Sequence, residues 1–260
     1  MKKFLITLCI LYCGLGNAQP SKATPKRSFY QLRVYHYTKA AQEQILDDFA
    51  ANALLPALHR QKLGPVGVFK SHGNDTASDK TLTILIPLQD LNKLILSEQA
   101  LQKDTAFIRA AQAYSMADYT NPPYARIETI LLQAFSTSPQ LQLPKLDGAR
   151  RTRIYELRSY ESATEKIFAN KLHMFNEGDE TGLFQRLHFN AAFYGAVVAG
   201  SKMPNLMYLT CHENKLAREN NWKRFVESPE WKKLSTMPEY QHNVSHIDIQ
   251  FLYPTEYSDY

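Results

Sequence analysis

The residues best suited to chemistry lie in the second half of the chain. Arg158 could bind a carboxylate group, because a planar guanidinium offers two parallel hydrogen bonds. Tyr160, Tyr194 and Trp222 are large aromatic residues of the kind that line small-molecule pockets. Together these four residues predict a binding site for a small organic ligand. They also allow a plainer interpretation, in which the arginine pairs with a glutamate and the rings pack in the core.

Proton transfer would need a titratable side chain beside that site, and two residues are candidates. His173 lies just before a polar segment at 176–179, and Tyr208 lies in a predicted strand. Histidine and tyrosine both exchange protons in catalysis when they contact the reacting group. A solvent-facing histidine and a core tyrosine are the structural alternatives.

The sequence lacks the common motifs for phosphate binding, metal binding and nucleophilic serine chemistry. It has no glycine-rich phosphate loop, no nucleophile elbow, no His-Glu-x-x-His and no paired-cysteine metal site. We therefore predict no metal and no cofactor, and haem binding through a histidine stays open as an alternative. The formal net charge is +5, but the basic residues are dispersed and their densest cluster is only 150–153. That distribution predicts no nucleic-acid partner.

A repeated strand motif organises the chain. Residues 29–35, Phe-Tyr-Gln-Leu-Arg-Val-Tyr, return at 154–160 as Ile-Tyr-Glu-Leu-Arg-Ser-Tyr, at an offset of 125. Each copy opens the same order of segments, β-α-β-β-α-β, which is typical of a ferredoxin-like unit. The sequence thus predicts an α+β protein of two tandem units, at 28–135 and 152–253, with 136–151 as the linker.

The repeated strand has two faces, because side chains alternate along a strand. If Tyr155 and Leu157 pack against helices, the intervening side chains face the sheet of the other unit. Those side chains are Glu156, Arg158 and Tyr160. This orientation would place the arginine between the two sheets.

The first helix of each unit is predicted to break. Pro56 interrupts the first copy, because proline cannot donate the interior hydrogen bond and clashes with the preceding turn. The segment 176–179, Asn-Glu-Gly-Asp, interrupts the second copy at a similar place.

The first residues have the form of a secretion signal. Lys2 and Lys3 precede an apolar stretch that ends in small residues at Ala18. That stretch has roughly 12 residues, whereas a membrane span needs about 20. We therefore predict a signal peptide at 1–18 and a protein exported to the periplasm or the medium, without a stable membrane span. Cys211 would then be the only cysteine, predicted as a buried, inert thiol.

Three motifs of the second half resemble those of the NIPSNAP family. They are the strand Tyr-Glu-Leu-Arg-Ser-Tyr at 155–160, Trp-x-x-Phe at 222–225 and Ser-Pro-Glu-Trp at 228–231. The resemblance is clearest over 152–253 and weaker over 28–135. It implies a dimeric α/β-barrel fold, in which the two ferredoxin-like units pack sheet to sheet. Because one chain carries both units, the barrel can close within a monomer, and a homodimer of whole chains is also open.

The resemblance implies no single activity. Barrels of this superfamily include cofactor-free monooxygenases, isomerases and haem-binding enzymes. Our first functional prediction is an exported protein that binds a small organic ligand or a protein partner. The alternative is a cofactor-independent monooxygenase or isomerase, in which Arg158 binds an anionic group and His173 or Tyr208 moves a proton.

Overall fold

The computed structural model describes residues 26–260, so the predicted signal peptide lies outside the described residues. Secondary structure follows the predicted order in both halves. The first half contains β1 (Phe29–Tyr37), α1 (Ala40–Asp48), α2 (Leu55–Arg60), β2 (Gly67–Ser71), β3 (Lys80–Leu88), α3 (Asn92–Leu101), α4 (Thr105–Ala110), α5 (Gln112–Ser115) and β4 (Arg126–Ala134). The second half contains β5 (Ile154–Glu161), α6 (Glu165–Asn176), α7 (Glu180–Arg186), β6 (Phe193–Ala199), β7 (Asn205–His212), α8 (Lys215–Glu227), α9 (Pro229–Thr236) and β8 (His246–Pro254).

The eight strands form one closed barrel in the order β1-β3-β2-β8-β5-β7-β6-β4. The two halves join at two antiparallel seams, where β2 pairs with β8 and β4 pairs with β6. Each half therefore satisfies the free edges of the other, which removes unpaired strand edges from the sheet. This confirms the predicted pair of ferredoxin-like units and the closure of an α/β barrel within one chain.

Hydrophobic side chains form a barrel core and a helix-facing core for each half. The barrel core combines Tyr30 and Leu32 of the first half with Tyr155 and Leu157 of the second. Helices α1–α5 cover one side of the barrel, and α6–α9 cover the other. The period-two alternation of the strands thus separates a barrel-facing side from a helix-facing side.

The predicted orientation of β5 is wrong. Tyr155 and Leu157 face the barrel interior, while Arg158 and Tyr160 lie beneath the helices of the second half. Alternation shows that a strand has two faces but cannot assign them, because large apolar residues occur on both. Arg158 therefore contacts Glu156 and Tyr160 of its own strand and Trp222 of α8, on the face that points away from the barrel interior.

Pro56 does not break the first helix. The helix runs on from α1 through a π-helical segment, Phe49–Leu54, into α2. The amide of Leu55 donates to the carbonyl of Ala50, five residues earlier, and Pro56 follows directly. A wider π turn accommodates the proline, since its ring would otherwise meet the carbonyl four residues before it. In the second half the break occurs as predicted, between α6 and α7.

The C-terminal residues close one end of the barrel. The ring of Tyr260 contacts Phe69 and Tyr155 in the barrel core, with ring centroids at 5.3 Å and 6.2 Å. The carboxylate of Asp259 accepts a hydrogen bond from the amide of Val66 over 2.6 Å. A cavity of about 160 Å³ lies at the opposite end, which we call the open end of the barrel.

Candidate functional site

The centre of the candidate site is a fully buried carboxylate. Glu156, on β5, has no exposed surface. Its oxygens accept hydrogen bonds from Arg158 Nε at 2.7 Å, from two nitrogens of Arg218 at 2.8 Å each, and from Trp222 Nε1 at 2.7 Å. Arg218 and Trp222 reach it together because residues four apart share one face of α8. We call these four residues the Glu156 network.

The network keeps its carboxylate ionised. Burial alone would raise the pKa of Glu156, but the hydrogen bonds from Arg218 and Trp222 and the charge of Arg158 outweigh burial and lower the pKa below 4.5. The neighbouring His212 is buried and its pKa is lowered to about 4, chiefly because burial disfavours the imidazolium form. His212 is therefore uncharged at neutral pH, and the two arginines supply the compensating positive charge.

Arg158 uses its hydrogen-bonding capacity within the protein. Its guanidinium lies 3.8 Å from the ring centroid of Trp222, in a cation–π contact. Its Nη1 donates to the hydroxyl of Tyr160 over 3.1 Å, and the hydroxyl of Tyr208 donates to that same oxygen over 2.8 Å. The predicted pairing with a glutamate is thus present, and the guanidinium has few donors left for a ligand.

A second buried ion pair lies close to the same tyrosines. Lys171 and Glu180 come from α6 and α7, and their charged groups are 3.1 Å apart. The ammonium group also lies 4.7 Å from the ring centroid of Phe175. Burial raises the pKa of Glu180 above 4.5 and Lys171 offsets only part of that effect. The break between α6 and α7 therefore brings two charged groups together in an aromatic core.

A cleft of about 480 Å³ opens beside these groups, between the predicted linker and α7. Tyr194 lies at the cleft and also packs against Tyr208, with ring centroids 5.8 Å apart. We call this space the linker cleft. Its lining is mostly hydroxyl, amide and small side chains: Thr137, Ser138, Gln142, Leu143, Pro144, Lys145, Asp179, Thr181, Gly182, Gln185, His188, Asn190, Ala191 and Tyr194.

The structure brings most of the sequence-predicted residues together. Arg158, Tyr160, Tyr208 and Trp222 are in direct contact through the hydrogen bonds and the cation–π contact described above. His173 does not join them. It is exposed in the last turn of α6, and its Nδ1 lies 2.8 Å from the hydroxyl of Tyr240.

Sequence reasoning missed three charged residues of the site, namely Arg218, Lys171 and Glu180. The spacing of Arg218 and Trp222 on a predicted helix was the available signal for the first. Lys171 and Glu180 gave no such signal, because they lie on different helices and only the turn between α6 and α7 makes them neighbours.

The first half lacks an equivalent network. Gln31 occupies the position that corresponds to Glu156, and Arg33 corresponds to Arg158. Arg33 pairs with Glu98 on α3, whose side chain is half exposed. Within residues 26–134, no buried carboxylate corresponds to Glu156.

Comparison with solved structures identifies the same fold in two bacterial proteins. A candidate monooxygenase from Fusobacterium nucleatum subsp. nucleatum ATCC 25586 superposes with a TM-score of 0.55 at 8% identity, over 88% of this chain and 93% of that one. A candidate monooxygenase from Lactobacillus acidophilus NCFM superposes with a TM-score of 0.54 at 12% identity, over 88% of this chain and 94% of that one. At such identities the similarity concerns the fold.

Sequence comparisons give one family. No curated protein matches the chain significantly. The NIPSNAP family model matches residues 155–259, which include the Glu156 network, α6–α9 and β8. Residues 155–259 of this chain therefore match the NIPSNAP family model, and they form part of a closed α/β barrel.

Proposed function

We propose that the protein binds a small polar organic ligand in the linker cleft. The observation that carries this proposal is the cleft itself, an open space of about 480 Å³ that reaches Tyr194. Its volume lies in the range of small-molecule sites, roughly 300 to 1,000 Å³. Hydroxyl and amide side chains such as Thr137, Gln142 and Gln185 offer both donors and acceptors to a polar ligand.

Two buried charge clusters are connected to Tyr194 through Tyr208 and Tyr160. Glu156 is neutralised by two arginines, and Lys171 is neutralised by Glu180. Neither pair offers a free charge to a ligand in the cleft. A ligand would therefore be held by neutral hydrogen bonds and by contact with Tyr194, and the buried pairs would fix the wall behind that ring.

Export belongs to the same proposal. Within residues 26–260 we find no helix with the length and hydropathy of a membrane span. The lysines and the apolar stretch before Ala18 support secretion by a cleaved signal. Measurement of the intact mass of protein secreted by a bacterial host would test export. The expected mass is that of a chain that begins at residue 19.

An enzyme of the cofactor-independent monooxygenase or isomerase type is the second candidate function. The two structural neighbours described as candidate monooxygenases favour it. The groups that we predicted for catalysis do not converge on the linker cleft. Arg158 is paired, Tyr208 is fully buried, and His173 is exposed beside Tyr240. Of the histidines, His188 is the one that lines the cleft, and it would be the candidate proton carrier or haem ligand there.

Native mass spectrometry of the purified protein, with an absorbance spectrum, tests these functions. A retained small molecule is expected, and Ala191→Trp should abolish its retention by filling the cleft. Ala110→Trp, at an exposed position of α4, is the matched control and should retain the molecule. An empty protein, or equal retention in both variants, would contradict binding in the cleft. Oxygen uptake or isomerisation of the retained compound would favour the enzyme, and a Soret band would identify haem.

A further inference from the structure

The open end of the barrel leads into a second, smaller cavity. Its volume is about 160 Å³, and side chains of both halves line it. The walls are the barrel-facing residues Leu32, Val34, His36, Thr81, Glu128, Ile130, Leu157, Ser159, Asn205, Met207, Asp248 and Gln250, with Ser201 and Lys202 from the turn between β6 and β7. Tyr260 packs against Phe69 and Tyr155 at the other end of the barrel.

Three potential metal ligands meet at one side of this opening. Glu161 ends β5 and lies opposite His246 on β8, while Asp248 lies one barrel-facing position further along β8. One ligand atom from each of the three lies within 4.8 Å of the other two. His246 Nε2 is 3.1 Å from Asp248 Oδ1. We call Glu161, His246 and Asp248, with the adjacent Lys202, the barrel mouth.

An unpartnered buried acceptor lies in the same cavity. Asn205 is only 2% exposed, and its Nδ2 donates to Ser159 Oγ over 2.8 Å. Its Oδ1 has no hydrogen-bond partner within residues 26–260. An unsatisfied buried carbonyl is costly, which makes a bound group in the cavity a physical explanation for it. A water or small molecule attached to an ion at the barrel mouth would supply a donor there.

The charge at the barrel mouth already attracts a cation. Lys202 forms an ion pair with Asp248, and its side chain is half exposed on the turn. The ammonium group is thus an internal counter-ion on a flexible stem. The ammonium group of Lys202 can move away when a cation of higher charge binds to Asp248.

We propose that the barrel mouth binds a divalent first-row transition-metal ion through Glu161, His246 and Asp248, with displacement of Lys202. One imidazole and two carboxylates are a ligand set that suits Zn²⁺ or Mn²⁺. Three protein ligands leave coordination positions for water or a small ligand on the cavity side. This inference does not depend on the linker cleft, which belongs to a different part of the surface.

Titration calorimetry with Zn²⁺ and with Mn²⁺, on protein without a histidine tag, tests the proposal. One ion should bind per chain, and His246→Ala and Glu161→Gln should each weaken binding at least about tenfold, as expected for loss of a ligand. Glu227→Gln, in an exposed pair on α8, is the control and should bind like the wild type. Circular dichroism checks that each variant is folded.

Lys202→Met separates this site from adventitious binding to surface carboxylates. Removal of the competing ammonium group should tighten metal binding several-fold, whereas a surface site elsewhere would not respond. Zn²⁺ should also raise the denaturation midpoint of the wild type, and it should not raise that of His246→Ala. Absence of binding, or equal affinity in the wild type and in His246→Ala and Lys202→Met, would overturn the proposal.

Discussion

Trp222 holds Glu156 from helix α8, because its indole nitrogen donates a hydrogen bond of 2.7 Å to the buried carboxylate. The same indole ring lies 3.8 Å from the guanidinium carbon of Arg158, which pairs with that carboxylate. The edge of the Trp222 ring therefore donates a hydrogen bond to the carboxylate of Glu156, and its face contacts the guanidinium of Arg158. Trp222 thereby joins β5 to α8 within residues 155–259, the segment that matches the NIPSNAP family model.

Replacement of Glu156 by glutamine should strongly destabilise the protein. Arg158 and Arg218 would lose their counter-charge while they remain largely buried, and breaking a buried ion pair from one side costs about 3 kcal/mol or more. Urea denaturation should show this loss in the free energy of unfolding. Glu219→Gln, which removes an exposed partner of Lys215 on the same helix, should cost about 0.5 kcal/mol or less. Equal effects of the two substitutions would contradict the structural role of the network.

The stabilising effect of Glu156 should depend on pH. Its pKa is lower in the folded protein than the ordinary 4.5, so the folded state favours the ionised carboxylate. The ionised carboxylate therefore makes its full contribution to stability above pH 4.5. This contribution decreases as the pH falls through the pKa of Glu156 in the folded protein. Denaturation should be measured for the wild type and for Glu156→Gln in parallel. The difference between their free energies of unfolding should become smaller at acidic pH. A difference that stays constant between about pH 7 and about pH 3 would exclude this linkage.

The buried pair of Lys171 and Glu180 should show strong non-additivity. Lys171→Met leaves a buried carboxylate without its partner, which should cost about 3 to 5 kcal/mol. The double variant Lys171→Met/Glu180→Leu removes both charges from an aromatic core and should be as stable as the wild type, or more stable. Urea denaturation of the wild type and of the two variants gives the comparison. A double variant clearly less stable than the wild type would show that the pair contributes net stability.

The fold could be predicted from local sequence patterns, because each strand, helix start and turn depends on residues that are close together in the chain. Tyr30 and Tyr155 mark the two copies of the strand, and Ser228 accepts the hydrogen bond from the amide of Trp231 that its N-cap position predicts. Pro56 shows the limit of such reasoning. A proline removes one hydrogen bond, but only the surrounding chain decides whether the helix breaks or widens into a π turn.

The candidate sites were harder to predict because their members come from separate elements. The sequence places Arg158 two residues from Glu156, and their contact was predictable from one strand face. Nothing local relates Glu161 to His246, which the sheet register places side by side. The orientation of β5 was also undetermined, because both of its faces are buried and neither follows a simple polar pattern.

The closure of the barrel should be sensitive to a single methyl group at Gly195. This residue lies on β6 at the seam with β4, where it pairs with Ala134. A Cβ atom at Gly195 would lie 2.9 Å from Cβ of Leu132, closer than the backbone-fixed atoms of two strands can normally approach. Gly195→Ala should therefore push the strands apart and cost about 1 to 3 kcal/mol, as overpacking does.

Hydrogen exchange distinguishes a local opening of this seam from general destabilisation. In Gly195→Ala, the amides of β4 and β6 that bridge the two halves should exchange faster than in the wild type. The amides of the seam between β2 and β8 should be less affected. Gly73→Ala is the matched control, because its new Cβ would meet only Ser71 Oγ at 3.6 Å, an ordinary contact. Unchanged exchange at β4 and β6 would mean that the seam adapts without separation, and the close approach of Gly195 to Leu132 would then have no role in closing the barrel.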